Sequence, residues 1–336
     1  MTLGDSRRYC GAMLAGMILA GLPPAGTSAA EPAPDPGHIV SLQFENDFLN
    51  PGSDRYYTNG LRIAYTSPTG ALPGFLSELG HRLLGDGQQR WAVELSQHIF
   101  TPYANTVPNP PVGDRPYAGV LMATASLLQD TDTTRTTLGL GVGVIGPAAL
   151  ARQTQGVAHS VLGHRQDQGW ATQIPNQPVV QLAAQRTWRT APLAIGGLEM
   201  DVLPSLGAGA GTFRIYAAGA AQLRLGQNLA VDFGVPRIRP GLTGMDAYRA
   251  AAPVAWYVFL GLEGQAVAWD ETLDGTPFGA SRRVTRTPFV GELQGGLAVI
   301  IEGWRLTASH VVRSQEFKGQ RGGAFQFSSF SLSTRF

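Results

Sequence analysis

His159 stands four residues after Gln155 in Gln155-Gly156-Val157-Ala158-His159, so on a helix the two share one face. A neutral imidazole can take a proton from water near pH 7 and make that water a nucleophile toward an ester carbonyl. No Gly-x-Ser-x-Gly element marks an acyl-enzyme serine, so direct attack by activated water is the chemistry these residues favour. A second polar cluster lies far upstream, where Ile39 to Phe44 leads into Glu45-Asn46-Asp47 and then Asp54-Arg55-Tyr56-Tyr57-Thr58-Asn59-Gly60. Asp47 offers hard oxygen atoms suited to Ca²⁺, and a neighbouring amide and hydroxyl would stabilise a developing oxyanion. Bland readings stand beside these. A lone helical histidine is more often structural, Asn46-Asp47 fits a strand-end turn, Asp54, Asn59 and Gly60 form ordinary turns, and Tyr56-Tyr57 suits an interfacial aromatic girdle.

The elements that would position these groups are mostly strands. In Trp91 to Ile99 the odd positions are mainly apolar, while Glu94, Ser96 and His98 point the other way. Leu138, Leu140, Val142 and Val144 alternate with Gly139, Gly141 and Gly143, which predicts leucine and valine toward lipid and glycine toward a crowded interior. Similar segments lie near 39–45, 60–67, 117–128, 179–188, 193–203, 213–225, 255–268, 289–301, 304–313 and 325–336. The total of about twelve is an even number that suits a closed antiparallel β-barrel. Pro147 opens a helix-forming run through Leu162, which places Gln155 and His159 on a short helix in a long loop. Glu302-Gly303 reads as a tight hairpin turn, whereas 100–116, 145–178 and 226–254 read as long outer connections.

Composition narrows the class. Arg7 and Arg8, an apolar core from Cys10 to Leu22, and small residues at Ser28 and Ala30 predict a secretory signal over residues 1–30 and a mature domain over 31–336. The single cysteine, Cys10, falls inside that signal, so the mature chain needs no thiol chemistry. A formal net charge of +1 argues against nucleic acid as the partner. Downstream of the signal there is no apolar run of about 18 residues, so a helical membrane protein is a poor reading. The last segment, Phe325 to Phe336, alternates and ends on an aromatic residue, like the closing strand of outer-membrane barrels.

In its Asn46-Asp47 and Asp54 to Gly60 elements the chain resembles the LpxR-like family of outer-membrane lipid A 3′-O-deacylases. The resemblance extends to Gln155 and His159, Gly169-Trp170, Gln173 to Asn176, Gln97 to Pro102, Asp114 to Gly119, Leu273 to Gly275 and Glu316 to Gln320. It implies a transmembrane barrel in the bacterial outer membrane that hydrolyses an ester-linked acyl chain of lipid A. It implies His159 as the base, Asp47 as a calcium-associated carboxylate and Asn46 as its neighbour. Thr58 would be an oxyanion donor beside a backbone amide near Tyr56, and Gln155 would line the same site. Arg115 fits either a lipid A phosphate or a lumen salt bridge. One departure is visible in Gly163 to Asp167, where His164 and Arg165 stand where family members often carry acids. The implied partners are lipopolysaccharide and outer-membrane lipids. Competing readings are an outer-membrane phospholipase and a nonenzymatic pore or structural barrel; a pore predicts an open polar lumen and no need for His159, whereas the enzyme predicts a filled barrel with His159 close to Asn46-Asp47 and Thr58.

Overall fold

Period-2 alternation produces a closed barrel in the computed structural model, which describes residues 33–47, 55–163, 165–249 and 251–336. The expected signal, Asp54 and His164 lie outside the described residues. The strands are β1 (Ile39–Asn46), β2 (Tyr56–Thr66), β3 (Gln88–Thr101), β4 (Ala118–Asp130), β5 (Thr134–Ile145), β6 (Gln177–Trp188), β7 (Leu193–Ile195), β8 (Leu198–Gly211), β9 (Arg214–Gln227), β10 (Val254–Asp270), β11 (Phe289–Ile301), β12 (Trp304–Arg313) and β13 (Phe325–Arg335). Among the described residues there are three α-helices, α1 (Gly74–Leu84), α2 (Ala151–Leu162) and the one-turn α3 (Glu271–Asp274). β1 pairs with both β2 and β13, and β6 pairs with β8, so twelve antiparallel strands close without an edge. The expected strand near 193–203 divides at Gly196 and Gly197, both at positive φ, leaving β7 as a three-residue flap paired to β8 alone.

The two faces of the wall sort as alternation requires. Leu140 and Val142 are exposed on the lipid side, Leu138 is half-buried in the same row, and Glu94, Ser96 and His98 are buried in the lumen. Glu302 and Gly303 both sit at positive φ, the geometry of a two-residue hairpin turn joining β11 to β12. The end that carries both chain termini also has the short connections 131–133 and 302–303. The opposite end has 102–117, 146–176, 271–288 and 314–324, which marks it as the outer end.

One expectation is corrected by this topology. The connection near 226–254 leaves β9 and enters β10 at the terminus end, so it is not an outer loop. It folds back into the lumen as a plug. Arg237 of the plug pairs with Glu45 of β1 and Glu292 of β11, while plug residue Asp246 accepts from Arg62 of β2 at 2.9 and 3.0 Å. Close approach explains a glycine: a Cβ at Gly139 would lie 2.0 Å from the carbonyl oxygen of Gly241 in the plug. The plug leaves a lumen cavity of about 90 Å³, so the open lumen required of a pore is filled. At the outer end an apolar cluster including Tyr56, Tyr57, Phe100, Phe317, Phe325 and Phe327 closes the mouth. Neither this plug nor α1 near the terminus end had a strong local signature.

Arg62 also bonds Glu94 at 2.7 Å, so one buried guanidinium neutralises two buried carboxylates. Arg62→Met would leave both without their cation and should destabilise the barrel by about 3–5 kcal/mol. Urea unfolding in detergent, followed by the shift in electrophoretic mobility between folded and unfolded barrel, measures this; an unchanged midpoint would show the ion group to be dispensable.

Candidate active site on the outer wall

Along β1 the lipid-facing row runs Leu42, Phe44, Asn46, and along β2 it runs Ile63, Leu61, Asn59. Phe44 pairs with Leu61 and Asn46 with Asn59, so both rows change from apolar to polar at the same height near the outer rim. Asn46 Nδ2 donates to the Thr58 carbonyl at 3.0 Å. Asp47 is buried, and its Oδ2 accepts the Arg55 N–H at 2.9 Å. Thr58 Oγ1 lies 2.7 Å from Thr101 Oγ1 of β3.

A β-bulge sets this arrangement. The register between β2 and β3 shifts between Tyr57 and Asn59, which leaves Thr58 without a residue opposite. Tyr56 sits at φ 69, an uncommon conformation for an aromatic residue, and must be held there. Its hydroxyl donates to the Arg321 carbonyl at 2.7 Å, and its ring meets Phe317 and Phe325 edge-on at 5.7 and 5.6 Å. Tyr57 points into the lumen and donates to Glu45 Oε2 at 2.8 Å, while Glu45 is bound by Arg237 of the plug. Thr58 is therefore fixed on the outer face by anchors on the inner one.

The helix side of the site starts at Gly146, at positive φ, and Pro147, which open the 3₁₀ turn Pro147–Ala149 before α2. The start of α2 lies tight against the wall: a Cβ at Gly119 of β4 would fall 2.4 Å from Ala151 Cβ, and Gln97 of β3 donates to the Ala149 carbonyl at 2.6 Å. Ala151 packs with Ile99, Tyr117 and Trp170. Ala151, Gln155 and His159, spaced by four, form the buried face of α2. His159 Nδ1 lies 2.8 Å from the Arg165 carbonyl oxygen, which only accepts, so Nδ1 carries the proton and Nε2 is the basic nitrogen. Gln155 Nε2 is 3.5 Å from His159 Nε2 and donates to Asp167 at 3.2 Å; the Tyr117 hydroxyl donates to the same Asp167 oxygen at 3.2 Å.

Two groups are thus assembled. Asn46, Asp47 and Thr58 form one at the ends of β1 and β2, and Gln155 and His159 form the other on α2. They adjoin through the outer face of β3, where Thr101 touches Thr58 and Ile99, two residues away, packs under α2. Thr101, Tyr117 and Asp167 were given no role by sequence reasoning, because their partners come from segments with no shared spacing. The oxygen donors of Asp47, Asn46 and Thr58 are the kind Ca²⁺ takes, with one carboxylate among them. No group of three or more His, Cys, Asp or Glu side chains forms a metal cluster among the described residues.

Arg115 belongs to neither group. It is buried in the barrel mouth, paired with Glu316, donating to Thr272 Oγ1 at 2.8 Å and lying over the Phe100 ring at 4.4 Å. Of its two readings, the internal salt bridge is the one observed. Other arginines occupy the rim: Arg55 and Arg321 lie over the Tyr103 ring at 4.8 and 5.6 Å.

A closed antiparallel barrel with a plugged lumen, a polar cluster near its outer rim and a helix laid over its wall is the architecture of an outer-membrane β-barrel protein. A family model described as "Outer membrane protein LpxR" matches residues 13–336, and the chain belongs to that family and to the bacterial outer membrane. LpxR from Salmonella typhimurium superposes with a TM-score of 0.73 at 22% identity, covering 89% of this chain and 100% of that one. The β domain of the Bordetella autotransporter BrkA aligns at a TM-score of 0.40 and 12% identity over 91% of this chain and 99% of that one. The NalP translocator domain from Neisseria meningitidis aligns at 0.35 and 13% over 99% and 98%. The first likeness establishes the fold; the other two are too distant to add to it. None of the curated proteins matches the sequence.

Near Arg115, the Glu271 carboxyl at the start of α3 is fully buried, and neither of its oxygens has a hydrogen-bond partner among the described residues. Burial, with the adjacent Asp270 carboxylate, pushes it from the ordinary 4.5 up to about 8. The unfolded carboxyl ionises first, so this group's contribution to stability is fully present below pH 4.5 and is lost as pH rises through about 8. Glu271→Gln should therefore flatten the thermal midpoint across that window and raise it most at the alkaline end. Melting curves of both proteins at several pH values check the sign, and parallel profiles would contradict it.

Proposed function

We propose that this protein is a lipid A deacylase that hydrolyses an ester-linked acyl chain, at the 3′ position by its resemblance to the family. The observation that carries the reading is the anchored His159: a histidine with Nδ1 tied to a backbone carbonyl and a basic Nε2, on a helix whose first turn packs on Ile99 of β3, the strand whose Thr101 touches Thr58. Such a site meets a lipid in the outer leaflet without extracting it, which would expose acyl chains at a cost of ~0.8 kcal/mol per CH₂.

In this reading His159 Nε2 takes a proton from water as the water oxygen bonds to the acyl carbon. The carbonyl oxygen becomes an oxyanion, received by the Thr58 hydroxyl and a backbone N–H near Tyr56. When the tetrahedral species collapses, the ester C–O bond breaks and the sugar oxygen takes the proton back from His159, leaving a fatty acid and a free hydroxyl. Gln155 orients the imidazole and lines the site. Asp47, with the side-chain oxygen of Asn46, would hold Ca²⁺, which when bound supplies positive charge to the developing oxyanion. Arg55 and Arg321 stand at the rim where lipid A phosphates would lie, a placement that suits guanidinium recognition. Residues 1–30 would serve as the export signal.

His159→Ala should insert and fold as the parent does while deacylation falls at least ~10²-fold, the usual loss with a general base. Mass spectrometry of lipid A from cells expressing each form reads this directly, and parent-level loss of an acyl chain by the folded variant would overturn the mechanism. Thr58→Ala should slow the reaction by roughly 3 kcal/mol of lost oxyanion stabilisation. Chelation should lower activity, with Ca²⁺ restoring it better than Mg²⁺, whose octahedral, strongly hydrated preference is less forgiving of an irregular ligand set. Full turnover by rigorously metal-free protein would remove calcium from the reading.

A further inference from the structure

An apolar groove of about 790 Å³ is set into the lipid-facing wall across neighbouring strands from β4 through β1 to β11. Its floor includes Leu42, Leu61, Ile63, Leu95, Phe330 and Leu332. Behind the groove the lumen-facing residues are polar and paired: Ser41 with Ser333 at 2.8 Å, Thr307 with Ser331 at 2.5 Å, and Arg62 donating to Gln43 at 3.1 Å.

The groove runs into the candidate site by strand register. Phe44 and Leu61 line it as a paired row, and the next outward pair along the same strands is Asn46 and Asn59. Outward rows are about 6.6–6.8 Å apart, two residues of strand rise. On β3, groove residues Leu95 and Gln97 lead to Ile99 and Thr101 in the same way.

We infer that this groove is the acyl-chain subsite: the chain of the substrate lipid lies along the outer wall over β1, β2 and β3, with its ester delivered to the polar row above. The inference rests on the deacylase reading and deepens it. A chain of matching length fills the groove, and the groove's lower part sets the chain-length preference. The volume lies in the range of specific ligand sites, roughly 300–1,000 Å³. The membrane already surrounds the groove with acyl chains, so the substrate enters from the bilayer plane and never crosses water.

The test compares kcat/KM for purified lipid A carrying a long or a short chain at the scissile ester. Ile63→Trp, which fills the lower groove, should cut the long-to-short ratio about 10-fold or more, a size set by what a pocket discriminates per few methylenes. Ile63→Ala should shift preference toward longer chains and covers the case in which the tryptophan variant does not insert. Leu182→Trp, exposed on β6 outside the groove, should leave the ratio at the parent value. An unchanged ratio in both Ile63 variants, or equal slowing of long and short substrates, overturns the subsite. Disulfide formation between two copies through Leu61→Cys would assign the groove to a second copy instead. If the parent cleaves neither substrate, it is the deacylase reading that fails, which separates the two results.

Discussion

Burying charge inside a barrel is costly unless each ion is paired, and that constraint organises this molecule. An alternating series crosses the lumen near its outer end: Glu45, Arg237, Glu292, Arg313, Glu316 and Arg115, each in contact with the next. Its members come from β1, the plug, β11, β12 and two outer loops. Removing any internal member strands two neighbours in low dielectric, so wall, plug and loops are stable only together. A second set, with Arg224 bridging Asp201 and Asp232 and Arg305 completing the group, does the same nearer the base.

The ion series reaches the candidate chemistry through one hydrogen bond, from the Tyr57 hydroxyl to Glu45. Tyr57 faces in and Thr58 faces out across a bulge, so the rigidity of the charged interior is transmitted to the outer wall over one peptide. Tyr56 contributes from the other side, held at positive φ by the aromatic cluster that closes the mouth. A site on a barrel exterior has no surrounding pocket to hold it. Here the filled lumen supplies that support, and α2 supplies the missing wall.

Small residues give the architecture its close approaches. Gly119 lets α2 lie on β4, and Gly139 lets the plug lie on β5. These close approaches set how α2 covers the candidate site and how the plug fills the lumen.

Much of this was legible from residue order. Strand alternation is a local property with a period of two, so Glu94, Ser96 and His98 declare an inward face and Leu140 and Val142 an outward one without knowledge of any partner. The helix carrying Gln155 and His159 was likewise written in local spacing after Pro147. Long-range pairing has no period, and there the sequence alone was insufficient. Residues 226–254 have the composition of a loop, and their charge pairs with Glu45, Arg62 and Glu292, together with apolar packing of Val231, Val235 and Tyr248 on the wall, hold them in the lumen instead of the outer surface. Arg115 fitted a phosphate and a carboxylate equally until the fold brought Glu316 to it. The bulge that turns Thr58 outward, the carbonyl of Arg165 that fixes the His159 tautomer, and the indentation over β1 all depend on contacts between segments whose spacing carries no signal. Local chemistry therefore determined which residues could act and which way each strand faces; tertiary packing decided which of them meet.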